Sequence, residues 1–301
     1  RVLECGGNMM RRSGVLMPIS SIPSKYGIGA FSKECYEFVD FLEQAGQSLW
    51  QILPLGPTGY GDSPYQSFST FAGNPYFIDF DLLYKGGLLK KNDYSSVNWG
   101  ENQEKVDFQT IYKNRFKVLR KAYTNFDLTD KSYLDFCDKN TYWLDDFALY
   151  MTLKDSFDGK PWNEWEKVLK TRKSTVIEKV KKELKNEIEF QKFIQYEFFV
   201  QWSNLKKYAN ENGILIIGDI PIYVAGDSAD VWANPKNFLL DEDCNPIEVA
   251  GCPPDAFTED GQLWGNPLYD WEYMKKDNYS WWKARIKHQY SLCDVIRIDH
   301  F

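Results

Sequence analysis

Two charged residues stand two positions apart in the apolar run Val295-Ile296-Arg297-Ile298-Asp299, just before His300 and Phe301. A run opened by β-branched residues reads as a buried strand. On a strand, residues i and i+2 share a face, so Arg297 and Asp299 project side by side at the strand's C-terminal end. Charges enter an interior when they are paired or used. Such a pair either holds the strand end as a buried ion pair, or presents a nucleophilic carboxylate that a permanently charged guanidinium orients and keeps ionised. We read Asp299 as the catalytic carboxylate and Arg297 as its support.

A second carboxylate, Asp219, follows Gly218 inside the apolar stretch 214–224 (ILIIGDIPIYV). It has no basic neighbour in sequence. It either caps a turn or contacts a ligand. The C-terminal ends of strands are where α/β barrels keep their binding residues, which favours the contact.

Two loops carry the remaining candidates. Residues 56–79 (GPTGYGDSPYQSFSTFAGNPYFID) are rich in turn formers. Among them Ser63, Tyr65 and Gln66 offer what a sugar needs: a ring to stack on, a hydroxyl and an amide. Residues 249–267 hold three prolines and three glycines, a composition that argues against regular structure and suits a lid or binding wall. Asp255, Gln262, Trp264 and Asn266 are its polar and aromatic side chains.

The elements that must position these residues follow from periodicity. Residues 14–19 and 48–55 read as strands. Between them Ser32 is placed to cap a helix with Phe38, Phe41, Leu42 and Ala45 on one face, ended by Gly46. That strand–helix–strand unit predicts a right-handed crossover and a parallel sheet. Residues 81–189 are highly charged and helical, an insertion before the third strand, with 170–185 as solvated faces and Trp143, Trp162 and Trp165 in the core. A further helix carries Ile194, Phe198, Trp202, Leu205 and Ala209 on one face and stops at Gly213. Ser228 or Asp227 caps a short helix in the loop after the third strand. The expected divisions are 1–9, 10–80 (first two strands and substrate loop), 81–189, and 190–301 with a covering insertion at about 226–270. Residues 1–8, which precede Met9 and Met10, read as a leader or remnant, with the natural start at one of those methionines.

Composition bounds the function. The net charge is −7, which argues against nucleic-acid partners and anionic membranes, and no apolar run approaches the ~20 residues of a membrane span. Six cysteines show no paired spacing, as in a reduced cytoplasmic protein. With only two histidines, His288 and His300, a His-rich metal site is excluded. Aromatic residues make up 17% of the chain, enough for both a core and a stacking wall.

Several strings together (SPYQSFSTFAGNPYFID, IGDIPIYVAGDSADVWANP, VAGCPPDAF, GQLWGNPLYDW and VIRIDHF) resemble the 4-α-glucanotransferases, or amylomaltases, of glycoside hydrolase family 77. The resemblance implies a (β/α)8 TIM barrel with helical and loop insertions. It implies transfer of α-1,4-glucan segments between maltooligosaccharides by a retaining double displacement, with no cofactor and no metal. By position, Asp299 matches the nucleophile, Arg297 the arginine beside it, and His300 a histidine that contacts the sugar next to the scissile bond. Tyr65 matches a stacking tyrosine, Ser63 a neighbouring binding residue, and Asp219 an active-site aspartate. Asp255, Gln262 and Trp264 match the loop covering the glucan, with Asn266 adjacent.

The family's acid/base glutamate and a third, transition-state-stabilising aspartate follow the fifth and seventh barrel strands. Those would lie beyond Phe301, so about four of the eight strands are expected here and the chain is expected to be a fragment that is neither stable nor active alone. Two other functions stay open: a retaining α-glucan hydrolase of the amylase superfamily, and a truncated, non-catalytic glucan-binding protein.

Overall fold

The computed structural model describes residues 11–59, 61–102, 104–256 and 258–300; the expected leader lies outside them. The first crossover is β1 (Gly14–Leu16), α1 (Lys33–Gln44) and β2 (Leu49–Gln51). A long excursion follows: α2 (Phe80–Lys85), α3 (Phe108–Thr124), α4 (Lys131–Ser156), α5 (Lys167–Lys170), α6 (Ser174–Glu183) and α7 (Lys185–Glu211). It returns to β3 (Leu215–Pro221). Then come α8 (Ala229–Ala233), β4 (Val249–Cys252), β5 (Gln262–Pro267), α9 (Trp271–Lys276), α10 (Ser280–Leu292) and β6 (Val295–Asp299).

β1, β2, β3 and β6 form one parallel sheet in that order. Sequential order with a helical crossover at every step is the arrangement of successive barrel strands. β3 and β6 pair in register, with Asp219 opposite Arg297 and Pro221 opposite Asp299. That register puts the two sequence-distant charges side by side.

Local chemistry sets the helix starts. Asp79, Asp107, Asp130, Ser228 and Asp270 each accept a hydrogen bond from a first-turn N–H, and such a cap stabilises by about 1 kcal/mol. Ser228 rather than Asp227 therefore caps α8. Ser32 departs from expectation: its hydroxyl donates to the Glu34 carboxylate at 2.6 Å and makes no cap bond. The buried face of α1 is Cys35, Val39 and Leu42, while Phe41 is 58% exposed, because α1 touches the sheet along a narrower stripe than the apolar spacing suggests.

Two cores support the sheet. One joins α1, α3 and α7 to the strands around Trp50, Phe193, Phe198 and Trp202. The other joins α4 to α8 and α10 around Trp143, Trp162, Trp165 and Trp232, so the three insertion tryptophans are core residues. α7 holds the loop of residues 56–79 by two amide clamps. Gln195 accepts from Gly73 N at 2.7 Å and donates to Gly73 O at 3.0 Å. Gln201 does the same to Asp79, at 2.7 and 3.2 Å. Gly73 lets the loop come this close, since a Cβ there would meet the Phe198 ring at 2.1 Å.

The 249–267 segment is more regular than its composition predicts. β4 and β5 pair antiparallel, and the prolines fall at Pro253 and Pro254 in the connection and at the strand end, Pro267, where a missing donor costs little. The expected division at 189 falls inside α7.

Candidate active site

The C-terminal ends of β3 and β6 carry an unbroken polar chain. Tyr65 Oη donates to Asp219 Oδ2 at 2.8 Å. Arg297 Nη1 donates to Asp219 Oδ1 at 2.7 Å, and Arg297 Nη2 to Asp299 Oδ1 at 2.5 Å. His300 Nε2 lies 3.2 Å from Asp299 Oδ2. The fork of the guanidinium thus spans two carboxylates on neighbouring strands, a bridge that a point charge could not make. The Asp219 side chain is 1% exposed and that of Asp299 14%, so Asp219 is the interior anchor and Asp299 the group at the open end.

Hydrogen bonds to Asp219 and Asp299 strengthen the cationic form of Arg297 and raise its pKa. Burial, and then the hydrogen bond to Asp219, raises that of Tyr65, so its phenol stays protonated and donating.

The hairpin β4–β5 stands against this chain. The Trp264 ring lies on His300 with 4.2 Å between centroids at 33°, and Trp264 Nε1 donates to Gln262 Oε1 at 3.0 Å. The backbone at His300 is left-handed, φ 59°, an uncommon conformation for a residue other than glycine. Ser63 shapes the turn that leads into Tyr65: its Oγ accepts the Tyr65 N–H at 3.3 Å.

Asp255 is placed on the exposed connection between β4 and β5, its Oδ1 accepting the Thr258 N–H at 3.1 Å. Asn266 is 4% exposed and faces inward. It donates to Val224 O at 2.8 Å and accepts from Gln66 Nε2 at 3.1 Å. Gln66 and Asn266 thus lock hairpin to loop, behind the surface that Trp264 presents. Of the expected site residues, the geometry unites Tyr65, Asp219, Arg297, Asp299, His300, Trp264 and Gln262. It sets Asn266 behind them and Asp255 at the hairpin tip.

Sequence reasoning missed the supports. Lys154, buried on α4, bonds Asp227 at 2.6 Å, and Tyr150 donates to the same carboxylate at 2.6 Å. Nothing in a charged helical segment marks them as inward. His288 on α10 is buried, with Nε2 2.7 Å from Phe71 O and Nδ1 3.1 Å from Tyr142 Oη. The carbonyl has no proton, so Nε2 donates and Nδ1 accepts from the phenol.

Burial pushes the His288 pKa down to about 4, the bond to Phe71 O opposing. Its folded value lies below the unfolded one of ~6.5. Its contribution is therefore complete above pH 6.5 and lost as pH falls towards 4, a span worth about 3 kcal/mol. Burial acts the other way on Asp230, raised to about 6, and Glu197, raised to about 7. Those groups favour the folded state at low pH and lose that contribution as pH rises through 6 and 7. The expected result for His288→Gln, which keeps a donor for Phe71 O, is a stability gap to wild type that narrows from pH 7 to pH 4.5. Urea melts at four pH values measure it; a gap independent of pH would show that His288 does not titrate this way.

Among the described residues no cluster of three or more His, Cys, Asp or Glu side chains is arranged to hold a metal ion, and no helix is long and apolar enough to cross a membrane.

Comparison with known proteins identifies the family. The family pattern described as 4-alpha-glucanotransferase, glycoside hydrolase family 77, matches residues 17–301. The chain is 58% identical to the 4-alpha-glucanotransferase of Clostridium butyricum over 95% of its own length and 59% of that protein's. It is 44% identical to that of Thermus thermophilus over 97% and 58%. The amylomaltase of Streptococcus agalactiae, solved in complex with acarbose, superposes with a TM-score of 0.93 at 45% identity, over 97% of this chain and 60% of that one. The amylomaltase of Corynebacterium glutamicum, at 18% identity and TM-score 0.73, shares the fold. The chain spans under two thirds of the length of these relatives. With its parallel strands in barrel order and the Tyr65–Asp219–Arg297–Asp299 chain at their ends, it belongs to the 4-α-glucanotransferase family, glycoside hydrolase family 77.

Proposed function

We propose that this chain carries the nucleophile side of the active site of a 4-α-glucanotransferase, which moves α-1,4-glucan segments between maltooligosaccharides. The observation that carries the reading is the shared guanidinium: Arg297 holds Asp219 and Asp299 on adjacent strand ends, beneath an aromatic wall of Trp264 and His300. The acarbose bound by the Streptococcus agalactiae relative supports an α-glucan ligand.

In this reading Asp299 attacks the anomeric carbon of the donor. The bond to the leaving glucan's 4-oxygen breaks as that oxygen takes a proton from an acid/base carboxyl. The glucosyl-Asp299 ester is then attacked by the 4-hydroxyl of an acceptor, whose proton returns to the acid/base. Two inversions give net retention. Asp219 is unsuited to the acid/base role: its side chain is buried and both oxygens are engaged by Tyr65 and Arg297. We propose that the acid/base carboxyl comes from outside the stretch shared with the relatives.

Transfer beats hydrolysis when the acceptor is held and water excluded. Trp264, stacked on His300, is the surface suited to hold it. The five described cysteines are unpaired, which fits a cytoplasmic enzyme.

Maltotriose tests the proposal in the full-length protein. Glucose and maltose together with longer oligomers are expected. Only shorter sugars would make the protein a hydrolase, and binding without turnover would make it a glucan-binding protein.

A further inference from the structure

One buried cluster that takes no part in the reaction chemistry packs against the loop that carries Tyr65. Arg285, His288 and Gln289 fall at i, i+3 and i+4 of α10, one helix face, and all three are buried. All three reach residues 70–71 of the loop that carries Tyr65. Arg285 Nε donates to Thr70 Oγ1 at 2.7 Å and Gln289 Nε2 to Thr70 O at 3.1 Å; His288 takes Phe71 O. From α8, Asp230 Oδ2 accepts the Thr70 N–H at 2.8 Å. Every polar group of Thr70 is therefore held by a side chain from another element.

The rest of the Arg285 guanidinium goes to the end of β3. Nη2 donates to Pro221 O at 2.5 Å, and Nη1 to Ile222 O at 2.8 Å and to Tyr269 Oη at 3.1 Å. Ile222 in turn donates its N–H to the backbone carbonyl of Asp299 at 3.1 Å. One rigid, fully buried fork thus ties the Tyr65 loop to the strand ends that carry Asp219 and Asp299. A buried charge is a poor device for stability alone, since an apolar side chain of similar volume often serves as well. A planar cation with fixed donor directions is a good device for setting a distance.

We infer that Arg285 is a positioning residue of the transfer reaction, an inference that rests on the proposed glucan chemistry. It sets the spacing between the Tyr65 loop and the β3–β6 strand ends, so that Tyr65 and Asp219 meet at hydrogen-bond distance and Arg297 is aimed at Asp299. It touches no reacting atom. Thr70 is the post through which it acts.

The test uses the full-length protein, with Arg285→Met and Thr70→Val compared with wild type for maltotriose disproportionation. Rates are expressed per folded molecule, with the folded fraction measured by calorimetry. Thr70→Val keeps the shape and removes only the hydroxyl, so it remains informative where Arg285→Met fails to fold. Misplacement by about 1 Å costs on the order of 10²-fold. Arg285→Met is expected to lose that much kcat with KM within about threefold, and Thr70→Val about tenfold for one hydrogen bond to a charged donor. A purely structural role would lower the folded fraction and leave kcat per folded molecule at the wild-type value, and that result overturns the inference.

A crystal structure of Thr70→Val separates this failure from failure of the functional reading. If wild type does not disproportionate glucans, the reading falls. The positioning role then stands or falls on whether the Tyr65–Asp219 distance lengthens or stays at the 2.8 Å of the native contact.

Discussion

Asp299→Asn in the full-length protein is expected to lower glucan disproportionation by on the order of 10⁴-fold or more. The amide keeps the shape of the side chain but is a far weaker nucleophile than a carboxylate, so the glucosyl ester does not form. The loss should fall on kcat and kcat/KM alike, because the group acts in the transition state rather than in ground-state binding. Stability should change little. Arg297 keeps its contact with Asp219 at 2.7 Å, and the Asp299 side chain sits at the open end of the chain. Steady-state kinetics with maltotriose and a thermal melt on the same preparation check both halves. Activity within tenfold of wild type would remove Asp299 from the nucleophile role.

Arg297→Lys is the second large expected effect. A lysine ammonium carries the charge but not the fork, so it serves one carboxylate at a time. If it stays with Asp219, Asp299 loses its orienting donor. If it moves to Asp299, the almost fully buried Asp219 carboxylate is left with Tyr65 alone; Arg297 itself is 46% exposed, so the loss is that of one charged hydrogen bond to a buried acceptor, about 1–3 kcal/mol. The two cases differ in a melt, and both cost activity. Loss of one preorganised charged donor at a site of this kind costs on the order of 10²–10³-fold in kcat. A lysine variant with wild-type kcat and wild-type melting would show that the bidentate geometry is incidental.

Much of the site was legible because strand periodicity is a strict rule. The two-residue spacing of Arg297 and Asp299 in an apolar run places both on one face, and β6 does carry them so. Asp219 was legible as a strand-end carboxylate, but its partner was not. The register that sets Asp219 opposite Arg297 is a relation between strands 78 residues apart, and no local pattern encodes it.

The hairpin β4–β5 was hidden by its own composition. Its prolines fall at the connection and the end, but Gly251 and Gly265 sit inside the strands themselves, and strands this short show no clear alternation. Phe41 was misplaced because apolar spacing reports which side chains are able to be buried, not how wide a stripe the neighbouring sheet covers. The supports Arg285, Thr70, Gln195 and Gln201 left no trace in sequence. A buried arginine and a solvated one look alike in a helical segment, and a glutamine that mimics a paired backbone looks like any polar residue on a helix. Their roles come from what packs against them, which tertiary structure alone decides.

The central claim is that Asp299 forms a covalent bond to the glucan. A fluorinated maltosyl donor, activated to form the intermediate but slow to release it, tests this in the full-length protein by intact mass and peptide mapping. The account predicts a single glycosyl adduct on the peptide containing Asp299, absent from Asp299→Asn. An adduct on another carboxylate, or continued transfer with none formed, would contradict it.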